Sequence, residues 1–162
     1  MIPYLPSENA SSADNQQERL KFANWIVGFV DGEGCFSVSV FKNRTSKLGF
    51  QVMPEFVVTQ GAKSVHVLEE IKNFFSCGSV FVNHRYDNHR EHIYRFCVRS
   101  RKDLQEIIIP FFMINSLRTS KRNDFVIFCK VVEMMAKGQH LSVEGLASIR
   151  ELKNPQRLHA KP

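Results

Sequence analysis

The chain has no apolar run approaching the ~18 residues that a bilayer-spanning helix needs. Nor does its start, Met1-Ile-Pro-Tyr-Leu-Pro, carry a basic stretch followed by an apolar one. Neither membrane insertion nor a secretory leader is therefore expected. The matches to a glycosylation acceptor at Asn9-Ala10-Ser11 and Asn43-Arg44-Thr45 then carry no weight. Cysteine is scarce: four residues, at 35, 77, 97 and 129, with no close pair. That spacing suits neither a zinc framework nor a disulfide-dense scaffold, so reduced and mostly buried thiols in a reducing compartment are expected. Tyr and Trp are few, three and one, against fourteen Phe, which points to a sheet-rich core. Acids are outnumbered, sixteen to twenty-two, leaving a net charge of +6. A basic domain of this kind commonly meets a polyanion, nucleic acid first; a solvated basic surface without a partner is the alternative.

What is present is globular. The chain has 162 residues, 43% hydrophobic and 23% charged, enough for one domain that buries roughly 70% of the unfolded chain's surface. Residues 1–15, with two Pro, three Ser and few large apolar groups, read as a flexible arm. The domain proper is placed at 16–152 and a tail at 153–162.

Leu20, Ala23, Asn24, Val27 and Gly28 recur at helical spacing, and the helix stops at Asp31-Gly32-Glu33-Gly34, where two glycines would permit a tight reversal. Phe36, Val38 and Val40 alternate with Ser37, Ser39 and Phe41, predicting a strand over 35–41. After a basic turn, a second strand covers 50–59, with Pro54 awkwardly placed. Ser64 is positioned to cap a helix to Phe75 that buries Val67, Leu68 and Ile71. Strands at 79–85 and 93–100 follow, then helices at 100–112, 119–136 and 142–151, with Ser100 and Asp103 resembling a capping box. The order predicts an α+β fold, two antiparallel hairpins joined into one sheet backed by helices. One sheet face is left free, carrying Ser37, Ser39, Gln51, Asn83, Arg85 and Arg95.

Three constellations could carry chemistry. Asn24, Gly28 and Gly32 make a stripe of small residues along the first helix, with Asp31 and Glu33 at its end. Two such helices packed together would bring two acidic ends close, where a hard cation such as Mg²⁺ would be wanted; a solvated helix end is the plainer reading. Lys42, Arg44 and Lys47 cluster in one hairpin turn, and Arg85, Arg90, Arg95, Arg99, Arg101 and Lys102 line the second hairpin. These residues could neutralise phosphates or reach base edges. Arg118, Lys121 and Arg122 open a long helix and could stabilise phosphoryl charge, or simply face water. His84, His89 and His92 fall in a turn without metal-ligand spacing.

The run Ile26-Val27-Gly28-Phe29-Val30-Asp31-Gly32-Glu33-Gly34 resembles the motif of the LAGLIDADG homing endonucleases. The element order through about residue 136 is similar to that family's α-β-β-α-β-β-α plan, an antiparallel saddle-shaped sheet backed by helices. The resemblance places Glu33 at the metal-binding acid, the Gly32 carbonyl at a backbone ligand and Asp31 at a structural position on the helix end. Gln60 matches the polar residue near the nucleophilic water, and Lys121 the basic catalytic residue, an alignment that could slip to Arg118 or Arg122. Val27 replaces the usual Ala, and Glu33 the commoner Asp, keeping the carboxylate.

With one motif copy, the resemblance implies a homodimer through Asn24, Val27, Gly28 and Asp31. It also implies double-stranded DNA as substrate, cut on both strands at a long pseudo-palindromic site by Mg²⁺-dependent hydrolysis that leaves 3′ overhangs. Mn²⁺ is expected to substitute, and Ca²⁺ to support binding without cleavage. DNA contacts are expected from Ser37, Ser39, Phe41, Lys42, Asn43, Arg44, Lys47, Gln51, Glu55, Asn83, Arg85, Arg90, Arg95 and Arg99. The site of action would be a microbial cytoplasm or an organelle matrix. The competing reading is a non-catalytic nucleic-acid-binding relative, an intron splicing helper with its own intron RNA as partner, or a regulator. An acid aimed at phosphates favours the nuclease.

Overall fold

A computed structural model describes residues 12–83 and 92–154. Most of the expected N-terminal arm, the second hairpin turn with His84, Arg85, His89 and Arg90, and the end of the C-terminal tail lie outside the described residues. Helix α1 spans Ser12–Glu33 and begins inside the stretch read as an arm. Asp14 in its first turn suits the positive end of the helix dipole. Ala23, Ile26 and Val30 are buried on one side of α1, while Asn24 and Gly28 are exposed on the other.

Strand β1, Gly34–Lys42, starts at the residue after α1 ends. No reversal occurs there: the glycines with positive φ are Gly49, Gly78 and Gly138, not Gly32 or Gly34. The chain passes from helix to strand with no intervening loop residue, and Gly34 is required for closeness instead. A Cβ on it would stand 2.5 Å from Val30 Cγ1 and 2.9 Å from the Val30 carbonyl oxygen.

Strand β2, Phe50–Gly61, pairs antiparallel with β1 from Gly34↔Val58 to Lys42↔Phe50. A 3₁₀ turn, Ala62–Ser64, leads into α2, Val65–Phe75. Ser64 stands at its N-cap but makes no side-chain capping bond. Strands β3, Ser79–Asn83, and β4, Ile93–Val98, pair with each other, and β4 also pairs with β2, giving the order β1-β2-β4-β3. Pairing of β2 with β4 runs only from Phe56 to Gly61, so Pro54 has a partner strand on one side alone. A missing N–H is tolerable there.

The pleat separates the sheet's two faces. Phe36, Val38, Val52, Phe56, Val58, Phe96 and Val98 are buried on the inner one. Helix α3 backs this face as a continuous run: Arg101–Asp103, a π-wound Leu104–Ile108 and Ile109–Ile114. Its start is capped by Ser100 Oγ, which accepts the Asp103 N–H at 3.3 Å. The π winding sits just before Pro110: the Ile109 N–H bonds the Leu104 carbonyl five residues back, and Pro110 has no N–H to continue an α ladder. Helices α4, Lys121–Ala136, and α5, Val143–Lys153, complete the layer, and Ser142 Oγ caps α5 by accepting the Gly145 N–H at 3.0 Å.

The abundance of Phe is explained in this layer. Phe112 meets Phe36 and Phe56 edge-on, with centroids 5.2 and 5.5 Å apart, and Phe125 and Phe128 approach Phe36 at 4.9 and 5.5 Å. Edge-to-face packing of this kind suits the ring quadrupole and fixes the helices on the sheet. Among the described residues no helix is long and apolar enough to cross a membrane. All four cysteines are free; Cys97 is buried and Cys77 and Cys129 half-buried, but Cys35 is exposed on the sheet, contrary to expectation.

The helix–strand junction gives a direct test. Gly34→Ala forces a methyl into Val30 and is expected to destabilise the fold by about 1–3 kcal/mol, as overpacking does. Urea unfolding measures it, with Gly32→Ala as the control, since a Cβ there meets nothing within 4 Å.

Candidate functional site

The end of α1 is tied to the start of α4. The Asp31 carboxylate accepts the Arg118 N–H at 2.7 Å, the Thr119 N–H at 3.2 Å and the Thr119 hydroxyl at 2.8 Å. Burial alone would push the Asp31 carboxyl up, but these bonds and the Lys121 charge outweigh it and hold its pKa below the ordinary carboxylate value. Asp31 was expected on a dimer surface as well as in a structural role. Both of its oxygens accept hydrogen bonds within the chain, which tie the helix end to Arg118 and Thr119.

Lys121 Nζ donates to the Gly32 carbonyl at 3.2 Å and also to the Gly34 carbonyl. Arg118 and Arg122 are exposed; of the three basic candidates, Lys121 is the one whose side chain bonds this helix end. An ammonium there satisfies the Gly32 carbonyl, one of those that the end of a helix leaves unpaired, bridges it to the first strand residue and lies at the negative end of the dipole. Gln60 is half-buried near the end of β2, two residues past Val58, the partner of Gly34. The register thus brings Gln60 to the same junction.

Glu33, the last residue of α1, is exposed and makes no ion pair among the described residues. The donors at this end are hard oxygens, one free carboxylate and one carbonyl, of the kind Mg²⁺ takes together with water and phosphate. Among the described residues no group of three His, Cys, Asp or Glu could hold a metal ion. The donor set fits a divalent cation as part of a site, with its remaining ligands to come from elsewhere.

The outer face of the sheet carries the residues expected to meet nucleic acid. Register puts Cys35, Ser37, Ser39 and Phe41 of β1 opposite Val57, Glu55, Met53 and Gln51 of β2, with Arg95 and Cys97 of β4 and Phe81 and Asn83 of β3 on the same face. Phe41 and Asn83 are exposed and Ser37 and Ser39 half-buried, all accessible from this side. Lys42, Arg44 and Lys47 are exposed in and beside the first turn. Asn43 has a different occupation: its Oδ1 accepts the Thr45 N–H at 3.0 Å and hydroxyl at 2.7 Å, and its Nδ2 donates to Gln51 Oε1 at 2.8 Å. It builds the turn and orients Gln51.

Glu55 departs furthest from its expected role as a direct contact. It is 6% exposed, with one carboxylate oxygen accepting Arg95 Nη2 at 2.7 Å and the other accepting Arg99 Nε. Burial would raise its pKa; the hydrogen bonds from Arg99 and Cys97 and the two guanidinium charges win and lower it. The same burial, with Glu55 beside it, pushes the Cys97 thiol up to about 11, which keeps it protonated. Arg99 follows the last residue of β4 rather than lying within it. Phe81, 50% exposed on this face and paired with Arg95, was not singled out from the sequence. Alternation back from Asn83 puts it there.

A four-stranded antiparallel sheet with one half-polar, basic face, beside a helix that ends in an exposed acid, defines an α+β class of fold. The sequence pattern described as LAGLIDADG endonuclease matches residues 26–132, and the chain belongs to that family. It is similar to the "Probable intron-encoded endonuclease 2" of Neurospora crassa, 31% identical over 131 residues covering 81% of this chain and 26% of that protein. It is similar too to the "DNA endonuclease I-CvuI" of Chlorella vulgaris, 31% identical over 62% of this chain and 60% of that one. The chain thus spans only about a quarter of the first of these relatives, 26%. Among solved structures, the homing endonuclease I-TnaI superposes with a TM-score of 0.74 at 41% identity, over 82% of this chain and 86% of that one. I-LtrWI bound to target DNA superposes with a TM-score of 0.75 at 32% identity, over 95% of this chain and 46% of that one.

Asp31→Asn should lower stability at neutral pH by about 1–2 kcal/mol, the range for bonds to a charged acceptor discounted for partial exposure. Because the folded pKa is depressed, this contribution is fully present above the unfolded value near 3.9 and is lost as pH falls through the folded one. Thermal melts from pH 7 to pH 2 are therefore expected to converge for the two proteins at the acid end.

Proposed function

We propose that the chain is a site-specific DNA endonuclease, or the endonuclease unit of a longer one, that hydrolyses both strands of a long double-stranded site with divalent metal ions. The observation that carries the reading is the exposed Glu33 carboxylate, without an ion pair among the described residues, beside the Gly32 carbonyl and Lys121. A protein that only bound nucleic acid would gain nothing from an anion there.

The chain's own residues divide the work. Glu33, with the Gly32 carbonyl, would hold Mg²⁺, which supplies Lewis-acid stabilisation of phosphoryl charge and a more acidic attacking water. Lys121 holds positive charge at the scissile phosphate, and Gln60 orients the attacking water by hydrogen bonding. Asp31 fixes the relative position of the helix end and the residues that open α4.

One acid per chain calls for a second α1. Gly28 is exposed, and a Cβ on it would touch nothing within 4 Å, so α1 presents a shallow stripe that another α1 can approach closely. Symmetry then makes the target pseudo-palindromic if the partner is a second copy. The family resemblance supports the finer points: cleavage across the minor groove, 3′ overhangs, Mn²⁺ in place of Mg²⁺ and binding without cleavage in Ca²⁺. The names of the relatives support a role in intron homing, with action in a microbial cytoplasm or the organelle that holds the intron.

Glu33→Gln should abolish cleavage of any duplex the native protein cuts, while binding in a gel-shift assay is kept or tightened. Retained cleavage would remove Glu33 from the site. Gly28→Leu should leave the thermal melt of the monomer unchanged but shift the protein from dimer to monomer in light scattering and stop double-strand cleavage. An unchanged dimer would contradict the α1 pairing.

A further inference from the structure

The cluster that neither the family motif nor the metal site uses lies on the outer face of the sheet. Glu55 is 6% exposed, yet it sits on the polar face with both oxygens bonded to guanidiniums. Arg95 and Arg99 side chains keep 35% and 52% of their accessible surface. Arg99 spends its Nε on Glu55, which leaves its Nη1–Nη2 edge for another partner; Arg95 spends one Nη2 hydrogen and keeps the other, beside an N–H of Nε or Nη1, so one two-donor edge remains. A guanidinium held by one edge presents a fixed fork at the other. Two of them on a single carboxylate stand within about one or two base steps of ~3.4 Å. Between them and β3 lies a cavity of about 150 Å³ lined by Phe81, Val82, Asn83, Arg95, Cys97 and Arg99.

From this arrangement, and resting on the reading of the chain as a DNA-binding nuclease, we infer that Glu55 is a positioning residue. It presets Arg95 and Arg99 to read guanines at neighbouring positions in the major groove of each half-site, and Phe81 receives a thymine methyl beside them. Guanine offers O6 and N7 to a fork of two N–H donors, and no other base edge in the major groove offers that pair of acceptors. A flexible arginine gives up side-chain entropy when it docks on a base; one already held by Glu55 gives up less. Being buried and neutralised by two cations, Glu55 sets little repulsion against the phosphates. Its function is to convert two general cations into two base readers.

The test is selection of duplexes by binding from a random library, with Ca²⁺ present, followed by sequencing. The native protein should select guanine at two adjacent or next-adjacent positions in each half-site. Glu55→Gln, which keeps the shape and loses the charge, should reduce that preference roughly tenfold or more at those positions, leaving the rest of the selected site intact. Arg99→Lys, at an exposed position where folding is not at risk, should do the same at one position, and Phe81→Ala should lose a neighbouring thymine. If Glu55→Gln melts well below the native protein, Arg99→Lys decides by the same criterion. Unchanged guanine preference, or a loss in Arg99→Lys spread evenly along the site as for a phosphate contact, would overturn the inference. Failure of the native protein to select any sequence would overturn the reading of function on which it rests.

Discussion

Everything at the working end of this protein depends on the junction where α1 becomes β1 without a turn. The chain enters the sheet at Gly34, pressed against Val30, and so the orientation of the helix axis and that of the first strand are one constraint. The acid that would bind metal is the last helical residue, and the face that would read DNA begins with the next strand. Neither can be repositioned separately. Asp31 then couples the junction through three hydrogen bonds to Arg118 and Thr119, just ahead of α4, and Lys121 closes over the Gly32 carbonyl at the helix end. This end of the molecule is held by short-range polar bonds, while the layer beneath the sheet is an apolar cluster of Phe, Ile, Val and Leu side chains.

The division of the sheet into an apolar face and a polar one follows from period-2 alternation, and this is why most of the fold was legible. Phe36, Val38, Phe56, Val58 and Phe96 could face only inward once Ser37, Ser39 and Arg95 faced out. The glycine-striped helix and its acidic end were legible for the same reason: spacing fixes which residues share a helix face. The α1 start was not, because Ser12 and Asp14 look alike in an arm and in a first helical turn. The loop-free passage from α1 to β1 at Gly34 was not either, since a glycine needed for closeness and one needed for positive φ read identically in a sequence.

The candidate site was legible where chemistry is local in the chain and illegible where it is made by pairing. Glu33 and Asp31 could be named, but the choice of Lys121 over Arg118 and Arg122 depends on where α4 begins and which way its first turn faces. Glu55 looked like one more polar residue on the free face. Its bonds to Arg95 and Arg99 span 40 and 44 positions, and only the register of β2 against β4 brings them together. Phe81 was passed over because an exposed Phe on a strand resembles core until the strand's face is fixed. Asn43, read as a contact, also makes its turn, an ordinary use of a short amide side chain that no spacing in the sequence singled out.

The claim that most of this rests on is cleavage of both DNA strands at a defined site, and one measurement addresses it. The purified protein is incubated with a deep library of random duplexes in Mg²⁺, and in parallel in Ca²⁺, and every new end is sequenced. The account predicts discrete paired ends with 3′ overhangs, centred on a pseudo-palindrome, in Mg²⁺ alone. Enrichment of bound sequences with no ends in either ion would contradict it, and would make the chain a nucleic-acid-binding relative that has kept the fold without the cleavage.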